Sequence, residues 1–318
     1  MFKAKIDIPV LLIFFCREKP FSKVFEAVKK ARPSKLYLYQ DGAREGNESD
    51  KKGIEACRKI ALDIDWECEV YTKFQEKNFG CDPSEFIAQK WFFDNEEMGI
   101  VLEDDDVPSQ SFFPYCKELL EKYKDDDRIA IICGMNNYDV ETSTDDSYFF
   151  TKRGSIWGWA SWRRFIDLWD ENYSVLDNPE QLKKLADYCD CEISLETYLK
   201  IINRHKDSGR AHYESIMYIA AATNNMLNIV PKYNMISNIG IDNVSTHSAS
   251  DIRLLPKRTQ KLMYKKTYEI EFPLKHPEKV ERNRKYEKKY KISKFKKLCY
   301  RVEHALRVIW YGKLFKKK

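Results

Sequence analysis

Residues 99–106 read Gly99-Ile100-Val101-Leu102-Glu103-Asp104-Asp105-Asp106, an apolar run with the length and β-branched content of a buried strand that stops abruptly in four carboxylates. Val107-Pro108 follows, and a proline there does not let the strand continue. Ser109 or Ser111 is placed to cap the next helix, which begins Phe112-Phe113-Pro114-Tyr115. The carboxylates therefore fall at the C-terminal end of a strand, where open α/β sheets place their ligand crevice. Four adjacent carboxylates repel one another and need an offsetting partner. A hard divalent cation is the usual one, its shell completed by oxygen ligands and often by phosphates. A polar loop of solvated charges produces the same run of residues, because charge clusters mark sites only statistically.

Outward from this stretch, apolar and amphipathic segments alternate. Upstream, residues 8–16 read as a buried first strand; the run lacks a small-x-small cleavage site and, at nine residues, is too short to span a bilayer. Pro20-Phe21-Ser22 opens a helix that ends before Pro33, residues 35–40 form a strand ending on Asp41-Gly42, and residues 51–62 are helical. Residues 66–74 alternate like a strand, 78–80 turn, and 83–95 form the helix that delivers the chain to the acidic strand. Strand–helix alternation over about a hundred residues predicts an α/β fold with a mostly parallel central sheet flanked by helices. Neither GxGxxG nor GxxxxGK[ST] occurs, so a bound nucleotide must have its phosphates held by side chains and a metal.

Downstream, 128–133 is a further buried strand, 136–146 a polar loop and 148–151 a short strand. Ile156-Trp157-Gly158-Trp159-Ala160-Ser161-Trp162 is the densest aromatic stretch, read either as a helix start packed on the core or as a ligand wall. Gly158 between two tryptophans permits a close backbone approach. Residues 179–188, 193–205 and 212–222 read as helices and 227–230 as a strand; a polar piece carrying His247 follows.

The 318 residues include seven Trp and 19 Tyr, enough aromatic surface for a large core or for stacking on sugar-like ligands. The net charge of +5 is unevenly spread: residues 275–318 hold 17 Lys and Arg against four Asp and Glu, leaving −8 on residues 1–274. An acidic body with a basic tail suggests that the tail meets something anionic. In residues 294–315, Phe295, Leu298, Val302, Leu306, Ile309 and Trp310 recur at near-helical spacing between Lys and Arg, the pattern of a basic amphipathic helix on an anionic membrane surface. A terminal helix docked on the body is the rival reading. The division expected is a main domain over 1–252 and a basic helical extension over 253–318. Nine scattered cysteines without paired metal spacing suit reduced thiols in a cytoplasmic protein, here peripheral on the inner face of the cytoplasmic membrane.

The order of these features is familiar. An apolar strand ends in Arg17 and another in Gln40-Asp41-Gly42; Val101-Leu102-Glu103-Asp104-Asp105-Asp106-Val107-Pro108 with its Phe-Phe helix follows, then Trp157-Gly158-Trp159, Asn238-Ile239-Gly240 and Thr246-His247. Over roughly residues 7–250 the chain resembles sugar-nucleotide-dependent glycosyltransferases of the GT-A fold. It is similar to bacterial hemolytic-protein-like glycosyltransferases and, more distantly, to the eukaryotic N-acetylglucosaminyltransferase that starts complex N-glycans.

The resemblance implies that Asp105 is the direct Mn²⁺ or Mg²⁺ ligand, bridging both phosphates of a nucleoside diphosphate. Asp104 would approach the ribose or donor sugar and Glu103 the metal's water shell. Asp106 is an extra carboxylate able to share the metal, which leaves the register open by one residue. Asp41 corresponds to a residue that reads uracil, Arg17 to one flanking the nucleotide, and His247 to a late metal or diphosphate ligand. Trp157 and Trp159 would line the sugar or acceptor pocket. Sugar transfer builds charge on the leaving diphosphate, which a metal stabilises, and the acceptor hydroxyl needs a carboxylate base. Glu214, at the head of a helix, is the candidate base of an inverting enzyme, with Asp207 the alternative; the helix dipole alone also favours a carboxylate at position 214. The expected partners are a UDP-sugar, a glycan or lipid-linked glycan acceptor of surface polysaccharide or lipopolysaccharide synthesis, and the membrane, with no nucleic acid. The alternatives are a sugar-1-phosphate nucleotidyltransferase, whose glycine-rich, basic N-terminal signature residues 8–22 lack, a metal-dependent nuclease, and a non-catalytic membrane-associated scaffold.

Overall fold

The structure, a computed structural model, describes residues 1–189, 195–241, 251–290 and 294–315. Its first half runs β1 (Ile6–Phe14), α1 (Glu18–Ala31), β2 (Pro33–Gln40), α2 (Glu48–Ala61), β3 (Glu69–Phe74), α3 (Cys81–Asn95), β4 (Met98–Glu103), β5 (Asp106–Pro108) and α4 (Phe112–Lys122). It continues with β6 (Ile129–Cys133), β7 (Tyr148–Thr151), β8 (Trp159–Trp162), α5 (Arg163–Ile166), α6 (Pro179–Tyr188), α7 (Leu195–Asp207), α8 (Tyr213–Thr223), β9 (Leu227–Pro231) and β10 (Ile236–Asn238). The remaining helices are α9 (Lys257–Gln260), α10 (Arg284–Lys288) and α11 (Lys294–Phe315).

Eight strands form one sheet in the order β3-β2-β1-β4-β8-β6-β9-β7. The first four are parallel, β8 lies antiparallel between β4 and β6, β9 is parallel to β6, and β7 closes the edge antiparallel. The α/β class with a mostly parallel, helix-flanked sheet is as expected. Side chains alternate across the sheet. Val10, Leu12 and Phe14 of β1 pack with Phe21, Cys57 and Phe112 of α1, α2 and α4 on one face. Leu11 and Ile13 pack with Ala88, Phe92 and Ile216 of α3 and α8 on the other. The chain builds from β1 outward to β3, then returns to place β4 on the other side of β1. That reversal makes the C-terminal ends of β1 and β4 a topological switch point, where a crevice opens.

Three local expectations are corrected. The aromatic stretch is the inserted strand β8 and no helix start, because the gap between β4 and β6 takes Trp159–Trp162 with all four residues buried. Gly158 enters it at φ 61°, where a Cβ would stand 2.4 Å from Cδ1 of Ile236. Strand pairing resumes after the acidic turn: β5 runs up to Pro108 and pairs on one side only, with β10, so the missing proline N–H costs no ladder bond. β3 begins at Glu69; Trp66 instead forms an isolated bridge with Phe2 and donates its indole N–H to the Pro33 carbonyl at 2.8 Å.

The serines before α4 do not cap it with their side chains. The cap comes from far along the chain. Glu269 accepts from the amides of Gln110 at 3.0 Å and Ser111 at 2.6 Å and from the Ser111 hydroxyl at 2.5 Å. Residues 251–290 are fastened elsewhere too: Glu287 of α10 accepts from Thr151 Oγ1 at 3.0 Å and the Lys152 amide at 2.9 Å, and pairs with Arg282 at 2.7 Å.

Partial burial tends to raise the Glu269 carboxyl, but the Ser111 hydroxyl and the two amides outweigh it and hold it below the ordinary glutamate value. Glu269→Ala is therefore expected to cost about 1 kcal/mol, the scale of an exposed helix cap, and to lower the melting midpoint by roughly 1–2 °C in calorimetry. The contribution is present above the ordinary value and lost as pH falls through the lowered one, so the gap between variant and parent should close in acid.

Candidate active site

The acidic run does not act as one block. After Glu103 the chain turns at Asp104 and Asp105 before β5 begins at Asp106, and strand alternation is broken there. The four carboxylates therefore face three environments. Glu103 accepts from the Tyr213 hydroxyl at 3.2 Å. Asp104 and Asp105 converge on Arg17 from the end of β1: its Nη2 contacts Asp104 Oδ1 and lies 2.8 Å from Asp105 Oδ2, its Nε lies 3.2 Å from Asp104 Oδ2, and its Nη1 reaches the Gly240 carbonyl at 3.4 Å. Asp106 turns inward. It is fully buried, accepting from the Gly158 amide at 2.8 Å and from Asn238 Nδ2 at 3.1 Å.

Asn238 also donates to Asp105 Oδ1 at 3.0 Å, so one amide joins two carboxylates. Gly240 is confined beside them: a Cβ there would stand 1.8 Å from Asp105 Oδ2. The segment around Asn238 and Gly240 closes over the acidic turn only because it carries no side chain at 240.

Two cavities meet at this point, sharing Arg17, Cys81, Glu85 and Glu103 as walls. The narrower, about 110 Å³, lies between the ends of β1 and β2 and the start of α3, and is lined by Phe15, Tyr39, Asp41, Arg44, Asn78 and Asp104 among others. The wider, about 450 Å³, is lined by Asp82, Asp105, Trp157, Tyr213, Glu214 and Asn238, with Leu255, Thr259 and Met263 on the far wall. Arg17, Asp41, Glu103, Asp104, Asp105, Trp157 and Glu214 are thus brought to one crevice. Asp41 has its carboxylate occupied, accepting from the amides of Gly42, Phe79 and Gly80 and from Asn78 Nδ2 at 2.8–3.0 Å. It shapes the 78–80 loop that forms the cavity wall. Trp159 is 1% exposed and stacks on Phe93 with ring centroids 6.2 Å apart, which makes it a core residue. Asp106 lines neither cavity. Asp207 ends α7 on the exposed surface. His247 lies outside the described residues.

Glu85 was missed by sequence reasoning. It sits in the first turns of α3, 6% exposed, with Gln89 Nε2 at 3.2 Å, and borders both cavities. The signal was present: Ser84, Glu85, Ala88, Gln89 and Phe92 lie on one buried helix face whose N-terminal end is polar.

Burial pushes Asp105 up to about 6 against the pull of Arg17, and pushes Glu103 up to about 8 with Asp105 and Asp104 adding to it. Glu85 and Asp106 are also raised, by burial first and then by Glu103. Burial opposes the Arg17 charge, but Asp104 and Asp105 more than restore it, holding the guanidinium above the ordinary arginine value. A single cationic nitrogen therefore already sits between two carboxylates. That donor set fits a divalent cation that keeps part of its shell for water and phosphate. Among the described residues no three His, Cys, Asp or Glu groups form a closed metal cage.

No family model matches the chain, and no curated protein matches it. Two of the solved structures that the chain matches are similar to it in part. A UDP-glucose pyrophosphorylase complexed with UDP-glucose aligns at 9% identity and a TM-score of 0.38, covering 72% of this chain and 91% of that one. The 4-diphosphocytidyl-2C-methyl-D-erythritol synthase from Anaerococcus prevotii aligns at 10% identity and a TM-score of 0.33, covering 51% of this chain and 74% of that one. At such scores the functional reading rests on the residues of the crevice.

A carboxyl raised on folding stabilises the fold in its protonated form. Its contribution is complete below the ordinary aspartate value of 3.8 and lost as pH rises through about 6 for Asp105. The stability difference between Asp105→Asn and the parent chain is expected to shift in the variant's favour over that window, read from chemical denaturation at several pH values without divalent metal. A difference independent of pH would contradict this account of the crevice.

Proposed function

We propose that the chain is a metal-dependent glycosyltransferase of the GT-A type. It would move a sugar, with inversion, from a nucleoside-diphosphate sugar, best matched by a UDP-sugar, to a hydroxyl of a glycan or lipid-linked glycan. The observation that carries this reading is the Arg17 guanidinium shared by Asp104 and Asp105 where a narrow and a wide cavity meet. A cation site at that junction suits a diphosphate lying across it, with the nucleoside on one side and the transferred sugar on the other.

Asp105 and Asp104 would hold Mn²⁺ or Mg²⁺, which when bound stabilises the charge of a leaving diphosphate. The other roles belong to this chain's own groups. Arg17 offers positive charge to the phosphates, and Phe15 and Tyr39 give the narrow cavity flat walls. Trp157 offers the wide cavity a stacking face for a sugar ring. Tyr213 orients Glu103 by the hydrogen bond at 3.2 Å. Glu214, in the first turn of α8, takes the proton of the acceptor hydroxyl as its oxygen bonds to the anomeric carbon and the sugar–phosphate bond breaks. Asp106 supports the site from behind, and His247 is proposed as a late ligand on the strength of the resemblance alone.

Calorimetric or thermal-shift titration with UDP, GDP and CMP, each with and without Mn²⁺, tests the reading. One diphosphate should stabilise the parent chain in a metal-dependent manner, and Asp105→Ala should abolish the effect. Glu214→Gln should keep that binding while lowering kcat by about 10²- to 10⁴-fold. Release of nucleoside diphosphate marks glycosyl transfer, whereas pyrophosphate released from a nucleoside triphosphate and a sugar 1-phosphate would mark nucleotidyl transfer. A chain that binds no nucleotide under any of these conditions would be a scaffold.

A further inference from the structure

The largest run of exposed apolar side chains in the described chain lies on α11. Leu298, Val302, Leu306, Ile309 and Trp310 are 51–72% exposed, and their spacing gathers them on one stripe of the helix. Other exposed large apolar residues, such as Leu62, Leu168 and Phe272, are scattered. The neighbouring edge of α11, by contrast, is docked. Glu303 accepts from the Lys257 amide at 3.2 Å and from Arg307 at 2.8 Å, and Arg307 reaches the Arg253 carbonyl at 3.3 Å. The helix is therefore fixed to the body by its polar edge and leaves its apolar stripe uncovered. This is the reverse of a terminal helix that docks to complete a core.

We infer that this stripe is an interfacial docking surface for an anionic lipid bilayer. Charge selects the occupant. Residues 294–318 hold nine Lys and Arg against a single Glu, and that Glu is engaged by Arg307. An apolar stripe within such a basic segment matches a surface that is apolar within and negative at its headgroups. Two such helices facing each other would bring like charges together. Among the described residues no helix is long and apolar enough to cross a membrane, so α11 lies on the surface. The segment that anchors it also walls the crevice: Arg253 and Lys257 hold α11, while Leu255, Thr259 and Met263 line the wide cavity. Docking would thus hold the crevice at the bilayer, where a lipid-linked acceptor resides. The docking itself does not depend on the transferase reading.

Flotation of the full chain with vesicles tests it. Vesicles of equimolar phosphatidylcholine and phosphatidylglycerol should carry the chain upward, pure phosphatidylcholine should carry much less, and added salt should release it. Leu306→Asp with Ile309→Asp should weaken partitioning at least about tenfold, with the melting midpoint unchanged as the check that the body is folded. Failure of the parent chain to float, or undiminished flotation of the folded double variant, would overturn the inference. So would a concentration-dependent dimer that the double variant dissociates, since a second copy would then cover the stripe. Neither readout involves nucleotide or metal, so the result is independent of whether the crevice binds a sugar donor.

Discussion

The structure depends on how four like charges are kept at the end of one strand. Carboxylates removed from water repel strongly, and desolvation and mutual repulsion both favour their neutral forms. The fold meets this with geometry. The turn at Asp104 and Asp105 sends Asp106 into the body and leaves its two predecessors at the crevice. Each then receives its own partners: the Arg17 guanidinium for Asp104 and Asp105, the Gly158 amide for Asp106, and the Asn238 amide shared by Asp105 and Asp106. The compensation is incomplete, as the raised pKa of Asp105 records. An uncompensated cluster of this kind favours a cationic ligand, because binding relieves a cost that the fold carries in its absence.

The partners come from distant parts of the sequence. Arg17 follows β1, Gly158 precedes β8, and Asn238 ends β10. Each position follows from the sheet: β1 and β8 flank β4 directly, and β10 pairs with β5, the continuation of β4 beyond the turn. The antiparallel β8 explains why a glycine stands between two tryptophans. Trp159 fills the core beneath the sheet, Trp157 faces the wide cavity, and Gly158 at φ 61° allows the reversal while its amide reaches Asp106.

This division shows what the sequence could reveal and what it could not. The apolar strand ending in carboxylates and the alternation of strands and helices were legible, because they follow from local periodicity and from strand ends; Arg17 was singled out by the resemblance alone, and its pairing with Asp104 and Asp105 was not read. Which of Asp104, Asp105 and Asp106 face the crevice was not legible, because strand alternation fails at the turn between β4 and β5. The two tryptophans could not be told apart, because a helix start and an inserted strand give the same short aromatic pattern. Glu85 was legible in principle, from the polar N-terminal end of the buried face of α3. The Glu269 cap was beyond local reading, since it comes from 158 residues away from Ser111.

Asn238 shows why the late segments belong to the site as much as the acidic turn does. Its Nδ2 bridges Asp105 and Asp106, its Oδ1 accepts the Gly240 amide at 3.0 Å, and its backbone carbonyl accepts the Tyr264 amide at 2.8 Å. A side chain that orders two carboxylates is thereby tied to the end of the wall formed by residues 251–264, whose Arg253 and Lys257 hold α11. Movement of that wall would reach Asp105 through one residue and two hydrogen bonds, without passing through the core of the sheet.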